Sequence, residues 1–165
     1  MSGQPEDVCS CCNGTSMDEL VERYAEQIAK HGFSTVAVFG DEEPTWCYTV
    51  GLQATYSHPE LVIYGLDPKL AHSMMWDAVN LIRAGEVIQP GTLVGGILGD
   101  GYLMAAVEVD EPLDPRYPLN MNTHFTPRED IKAVQLVWPN SVGDYPWEPT
   151  GQIAQAVFGT FEEEA

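Results

Sequence analysis

An amphipathic pattern begins just after Ser16 and predicts the first helix of the chain. Ser16 and Glu19 have the spacing of a capping box, in which each side chain accepts a hydrogen bond from the other residue's backbone N–H. Apolar residues then recur three and four positions apart, as on the buried face of a helix. They are Met17, Leu20, Val21, Tyr24, Ala25, Ile28 and Ala29. Gly32 follows and can take the left-handed conformation that ends many helices.

Three shorter runs of alternating apolar and polar side chains come next, at residues 33–39, 46–52 and 60–66. Alternation with a period of two is typical of strands, whose successive side chains point to opposite faces of a sheet. The connections are short, and the second of them contains His58–Pro59. We therefore expect three strands in an antiparallel meander.

A second helix is predicted to start at Asp67–Pro68, a pair that combines an N-cap residue with a first-turn proline. Apolar residues recur at helical spacing until Gly85 and define the face expected to be buried. They are Ala71, Met74, Met75, Ala78, Val79 and Ile82. Trp76 departs from this pattern because it falls on the polar side of the helix, near His72.

The second half of the chain is richer in strands and turns than in helices. Residues 92–98 and 102–109 flank Gly99–Asp100–Gly101 and predict a β-hairpin. Residues 110–130 carry four prolines and predict a long irregular segment with one short helical turn. Residues 131–138 predict a last strand.

Together these elements predict one α+β domain of two layers, with two main helices and a mostly antiparallel sheet of about six strands. A chain of 165 residues is long enough for one core and short for two. We expect the domain to span residues 16–160, after a flexible arm at residues 1–15 and before a frayed acidic tail at residues 161–165.

Deletion of residues 1–14 tests the expected independence of the arm. The arm is rich in small and polar residues, so its removal is expected to shift the thermal unfolding midpoint by no more than about 2 °C. Circular dichroism melting curves of the two chains give the comparison. A loss of about 10 °C or more would show that the arm packs on the domain or holds a metal ion.

The charge balance restricts what this domain can bind. Seven Lys and Arg residues stand against 25 Asp and Glu residues, which leaves a net charge of −18. Phosphate backbones and anionic membrane surfaces attract Lys and Arg, so direct binding to nucleic acid or to a membrane is disfavoured. The surplus of carboxylates favours solubility, binding of a basic partner, or mimicry of DNA.

The sequence predicts a cytoplasmic protein, because no apolar run could span a bilayer and no leader-like pattern opens the chain. Its cysteines are then expected to be reduced. Cys9, Cys11 and Cys12 lack the two-residue spacing of a zinc knuckle, so we expect no metal and no cofactor. Cys47 could act as a nucleophile with His58, but strand alternation and acidic surroundings favour a packed thiol.

Tyr48, His58 and Glu60 form the first candidate site, since a short loop would return His58 to the end of the strand that carries Tyr48. A carboxylate beside a histidine fixes the tautomer and raises the basicity of the ring, as a general base requires. The alternative is structural. In that case His58 bonds to loop backbone groups, and Glu60 caps a backbone segment or faces solvent.

Trp138, Asp144 and Trp147 form the second candidate site, in a loop stiffened by proline. The aromatic rings could wall an apolar pocket with one carboxylate, or they could seal one end of a small sheet. We predict that this loop and the loop at His58 meet at one end of the sheet to form a single ligand or partner site.

His72 and Trp76 are candidates for a homodimer contact. Aromatic residues on polar helix faces are enriched at protein interfaces. A tryptophan that is partly buried beneath the N-terminal arm would explain the same pattern.

Several short motifs occur together, and their combination is specific. They are His31–Gly32–Phe33, Tyr48–Thr49–Val50–Gly51–Leu52, His58–Pro59–Glu60–Leu61, Gly65–Leu66, Gln135–Leu136–Val137–Trp138–Pro139, Gly143 and Pro146–Trp147. Over roughly residues 17–160 the chain thus resembles the bacterial and phage proteins grouped as domain of unknown function 4262. Asn140 stands where an aspartate usually follows Trp–Pro, and residues 110–130 match poorly. The resemblance implies no established activity, so it supplies no catalytic residue.

Three functional hypotheses follow from the sequence. The preferred one is an acidic module that binds an unidentified protein or small molecule and has no catalysis of its own. The second is an enzyme that uses His58, Glu60 and Tyr48, with Asp144, on a small polar substrate. The third is an acidic, DNA-mimic-like inhibitor of a cellular protein. Polar groups gathered in one cleft would favour the enzyme, whereas a carboxylate stripe with phosphate-like spacing would favour the mimic.

Overall fold

The computed structural model describes residues 16–39, 44–148 and 155–161. The strands of these residues are β1 (Ser34–Val38), β2 (Trp46–Val50), β3 (Glu60–Tyr64), β4 (Leu93–Val94), β5 (Met104–Glu108) and β6 (Ala133–Val137). The α-helices are α1 (Met17–His31), α2 (Leu52–Tyr56) and α3 (Pro68–Arg83), and two 3-10 helices span Asn120–His124 and Arg128–Asp130. The predicted α+β class, with six strands and two main helices, is confirmed.

The six strands form one mixed sheet in the order β1-β2-β3-β6-β5-β4. The predicted meander of β1, β2 and β3 is antiparallel, as expected. β6 then lies between β3 and β5, antiparallel to β5 but parallel to β3, with Glu60 opposite Ala133. This single parallel pair among the described strands decides at which end of the sheet each candidate loop lies.

Both long helices begin and end as their sequences predict. The Ser16–Glu19 capping box is formed, and Gly32 ends α1 with a φ of 89°. The Asp67 side chain accepts from the backbone N–H of Lys69 at the start of α3. Every apolar residue predicted to face inward from α3 is buried. The apolar face of α1 is narrower than predicted, because Met17, Ala25 and Ala29 are exposed and do not join the core.

Helix α2 replaces the strand end and polar turn that the sequence predicts. Gly51 has a φ of 90°, so the chain turns out of β2 into the helix. The side chain of Ile28 lies 2.6 Å from where a Cβ on Gly51 would stand, which leaves room for glycine alone. Ser57 ends the helix in the left-handed conformation, with a φ of 56°.

The predicted hairpin is present, but its first strand is shorter than the sequence pattern suggests. β4 has two residues, Leu93 and Val94, which pair antiparallel with β5. Gly96 has a φ of 90° and Asp100 a φ of 59°. These left-handed residues bend the connection away from the sheet, so the apolar side chains that follow Val94 are not held in a ladder.

Both faces of the sheet are covered, so the sheet is the middle of three layers rather than one of two. On one face α3 packs on strand side chains that include Leu61, Ile63 and Leu136. On the opposite face α1 and parts of the later chain pack on strand side chains that include Val62 and Tyr64.

None of the helices in the described ranges has the length and apolar character needed to cross a membrane. The expected arm at residues 1–15 and the acidic end at residues 162–165 lie outside the described residues, as do Cys9, Cys11 and Cys12. Those expectations therefore stay predictions.

Candidate functional site

Glu60 is a fully buried carboxylate that supports the start of α2. Its Oε1 accepts from Thr49 Oγ1 at 2.7 Å and from the Leu52 backbone N–H at 3.2 Å. Its Oε2 accepts from the Gln53 backbone N–H at 2.8 Å. The first N–H groups of a helix have no partner inside the helix, and Glu60 satisfies two of them from the neighbouring strand β3.

Burial raises the pKa of Glu60 from 4.5 to about 7, although the hydrogen bonds from Gln53, Thr49 and Leu52 lower it. The carboxylate thus sits between two opposing effects, desolvation and direct hydrogen bonding. Its side chain is 0% exposed. A substrate could reach it only after α2 had moved away from β3.

A second set of hydrogen bonds ties the irregular segment after β5 to the same corner of the sheet. Asn122 accepts from the Gly51 backbone N–H at 3.3 Å and donates to the Thr49 carbonyl at 3.0 Å. The hydroxyl of Tyr48 accepts from the Met121 backbone N–H at 3.2 Å. Burial is the main reason that the pKa of Tyr48 rises to about 12. Asn122 carries no sequence signal, because it lies in a proline-rich stretch whose course is set by distant contacts.

His58 is a buried neutral imidazole, and its surroundings define the tautomer. Nε2 lies 3.0 Å from the backbone nitrogen of Ile88 and must accept, because that N–H can only donate. Nδ1 therefore carries the proton and donates to the Pro59 carbonyl at 2.8 Å. Both ring nitrogens are hydrogen-bonded to backbone groups. His58 therefore has the structural role that the sequence offered as the alternative to a general base.

The three residues of the first candidate site do not form a general-base cluster. Tyr48, His58 and Glu60 are all buried, and their hydrogen bonds run to separate backbone groups and to the Thr49 hydroxyl rather than to one another. The imidazole of His58 is oriented by the Pro59 carbonyl and the Ile88 N–H rather than by a carboxylate. These side chains therefore stabilise the fold by satisfying buried backbone groups.

The predicted single site, in which the loops at His58 and at Trp138–Trp147 meet, is wrong. His58 precedes β3, whereas Trp138 follows β6. Since β3 and β6 run parallel, the two loops lie at opposite ends of the sheet. The ring of Trp147 instead stacks between Tyr145 and Phe161, with centroid distances of 5.3 and 5.1 Å.

Trp138 lines an apolar cleft at the other end of the sheet, with a volume of about 400 Å³. Its apolar lining includes Leu66, Leu70, Met74, Leu98, Tyr102 and Trp138. The indole Nε1 of Trp138 donates to the Tyr64 carbonyl at 2.8 Å, so the ring has a fixed orientation. Leu70 is 46% exposed and offers an apolar surface to solvent.

The polar rim of this cleft is built from two hydrogen-bonded turns. Asp100 lines it from the β4–β5 connection. On the other side the Asn140 side chain accepts from the backbone N–H groups of Val142 and Asp144, at 3.0 and 2.9 Å. Tyr102 links the turns, because its hydroxyl donates to the Ser141 carbonyl. Asp144 thus belongs to the loop at the cleft rather than to the polar corner at Glu60.

His72 and Trp76 connect α3 to β1. The Trp76 Nε1 donates to His72 Nε2 at 3.1 Å, so His72 Nδ1 carries the proton and donates to Thr35 Oγ1 at 2.9 Å. Trp76 also meets Phe33 edge to face at 4.9 Å, and the guanidinium of Arg83 lies 5.5 Å from its ring. These contacts explain a tryptophan on the polar side of α3 without any second chain.

Burial, followed by the charge of Asp67, raises the pKa of Cys47 to about 11. The thiol is therefore protonated at neutral pH, which disfavours a nucleophilic role. Within residues 16–39, 44–148 and 155–161, no group of His, Cys, Asp and Glu side chains has the geometry of a metal site.

The fold and these sites define a small α+β domain whose buried polar side chains support the backbone and whose open cleft is apolar. The chain belongs to the family described as Domain of unknown function (DUF4262), whose model matches residues 27–152. The resemblance seen in the motifs is thereby confirmed. No curated protein and no solved structure matches the chain.

Proposed function

We propose that this protein is a non-catalytic interaction module that binds a basic segment of a partner protein, with one apolar side chain of that segment inserted in the cleft at Trp138. The observation that carries the proposal is the cleft itself. It is concave, apolar and edged by a few polar groups, as binding sites commonly are. A cytoplasmic location is part of the same proposal.

Charge supports a basic partner over an acidic one. The chain has a net charge of −18, and such a field speeds the approach of a cationic segment. Asp100 lines the cleft, and Asp67 adjoins Leu66 at its wall. Lys69 is the positively charged residue that lies nearest to this wall in the sequence. Two carboxylates, those of Asp67 and Asp100, therefore stand against one cation.

The two other hypotheses have less support. An enzyme would need reactive groups that reach a substrate, but His58 and Glu60 are buried and bonded to the backbone. A DNA mimic would bind through its charge alone and would not need an apolar cleft. The mimic and the proposed module therefore differ in how strongly binding depends on Leu70.

A synthetic peptide of alternating lysine and leucine residues serves as the probe, and a glutamate–leucine peptide serves as the charge control. Leu70→Ser is expected to weaken binding of the lysine–leucine peptide by about 10-fold, because roughly 1 to 2 kcal/mol of apolar contact is lost. Val87→Ser is the matched control, since Val87 is 63% exposed and does not line the cleft. Fluorescence anisotropy of labelled peptide gives the affinities.

Asp100→Asn tests the charge at the rim. Asparagine tolerates the left-handed conformation of residue 100, so the variant is expected to fold and to bind about 2- to 5-fold more weakly, with a shallower salt dependence. Equal binding by Leu70→Ser and the unchanged protein would support the mimic and refute the cleft. Equal binding of the two peptides would refute the basic partner.

A further inference from the structure

Among the described residues no strand pairs with the outer edge of β1, and β1 lacks the charges and the proline that often protect an edge strand. β1 stands first in the sheet order and pairs with β2 alone among the described strands. Residues 33–39 contain no charged residue and no proline, although natural edge strands commonly carry these residues to prevent pairing with another chain. Phe39, directly after β1, is 71% exposed.

We propose that β1 pairs antiparallel with β1 of a second copy of this chain, across a two-fold axis at Val36. Val36 is the central residue of the strand, and in this register Ala37 lies opposite Thr35 and Val38 lies opposite Ser34. Directly opposite residues of antiparallel strands share one face of the sheet. Val36 and Val38 pack on the α1 side of the sheet, so that apolar cluster continues into the second copy.

The pairing places Phe39 beside a partly exposed aromatic cluster of the second copy. In the same register Phe39 lies opposite Phe33 of the second copy, and strand alternation places both on the face that carries α3. There Phe33 contacts Trp76, which is half-buried, and His72 is exposed beside it. Phe39 of one copy would cover Trp76 and His72 of the other copy.

A second copy fits this edge better than a basic segment does. A basic segment is recognised through carboxylates, and residues 33–39 have none. A two-fold contact needs a surface patch that is complementary to itself. The small and β-branched residues of β1 form such a patch in the register described. Two chains of charge −18 repel each other, so the dimer is weak at low salt and becomes tighter as salt screens the charge.

Sedimentation equilibrium of the full chain under reducing conditions tests the proposal, because reductant prevents dimers linked through cysteine. We expect a reversible dimer with a dissociation constant on the order of 10 to 100 µM at about 0.5 M NaCl, and weaker association at about 0.05 M. The proposed binding of a basic segment has the opposite salt dependence. Failure of one proposal is therefore distinguishable from failure of the other.

Two variants with matched controls locate the contact. Ala37→Glu places like charges beside the axis and is expected to weaken the dimer by at least about 10-fold, whereas Ala25→Glu adds the same charge on an exposed part of α1 and should have little effect. Phe39→Ser is expected to weaken it by about 5- to 10-fold. Its control is Val142→Ser, because Val142 has the same 71% exposure.

Unchanged thermal midpoints would show that all four variants are folded. A chain that stays monomeric near millimolar concentration in high salt would overturn the proposal. A dimer that Ala37→Glu and Phe39→Ser leave intact would overturn it as well, since the contact would then lie elsewhere. Protection of the β1 amides from hydrogen exchange by the lysine–leucine peptide, in a monomeric chain, would assign the edge to another protein instead.

Discussion

Met75→Asp is expected to unfold the domain or to lower its unfolding midpoint by more than about 10 °C. Met75 is 0% exposed and lies in the core between α3 and the sheet. A carboxylate at this position would be buried without a cation or donor, which costs several kcal/mol, about half of the stability of a typical domain. Urea and thermal unfolding followed by circular dichroism measure the loss.

Ser73→Asp is the matched control, because it adds the same carboxylate to an exposed position two residues earlier on α3. Its effect should stay within about 0.5 kcal/mol. Arg83 is a poorer control, although the sequence pattern places it on the outer face. Its guanidinium donates to the Tyr56 hydroxyl at 2.9 Å and lies over Trp76. Equal tolerance of Met75→Asp and Ser73→Asp would mean that α3 presents a different face to the core.

The success of the helix predictions has a local cause. The capping box at Ser16, the left-handed Gly32 and the Asp67–Pro68 start each involve residues within a few positions of one another. Local hydrogen bonds and φ preferences determine such signals, and the sequence displays both. The buried face of α3 follows equally directly from its helical spacing.

The errors arise where distant parts of the chain meet. Alternation predicts that residues 131–138 form a strand, but the sequence gives no reason to insert β6 between β3 and β5. That parallel neighbour separates His58 from Trp138 and removes the expected common site. Helix α2 is similar, because its N–H groups are satisfied by Glu60, which lies beyond the end of the helix. Short helices depend on such partners more than on propensity.

The polar residues that the sequence singles out do not line the cleft that supports binding. The side chains with the richest chemistry, His58 and Glu60, hold backbone groups at the corner where β2 turns into α2. The cleft that supports binding is lined by Leu70 and Trp138, together with a carboxylate at Asp100. A sequence motif identifies the reactive residue types, whereas the three-dimensional contacts decide which of them remain available to a partner.

Glu60 is expected to make the folded state less stable as the pH rises from about 5 to about 8. Its pKa is about 7 in the folded protein, against 4.5 for an exposed glutamate. Between these values the folded chain binds a proton that the unfolded chain has released. The stabilising contribution of Glu60 is thus fully present below its unfolded-state pKa and is lost as the pH rises through its folded-state pKa. The free energy of unfolding falls by about 3 kcal/mol in total, because each unit of pKa shift corresponds to about 1.4 kcal/mol.

Glu60→Gln isolates this contribution, because the many other carboxylates titrate alike in both proteins. Glutamine is uncharged at every pH, but its NH2 group cannot accept the hydrogen bond that Oε2 accepts from the Gln53 N–H, so the variant also carries a constant cost. From about pH 5 to about pH 8 the unfolding free energy of the variant should therefore fall by about 3 kcal/mol less than that of the native protein. Urea unfolding at several pH values gives the difference. Parallel curves would show that Glu60 does not titrate in this range. A native protein that gains stability over the variant as pH rises would show that the donors at Thr49, Leu52 and Gln53 outweigh the cost of burying the charge.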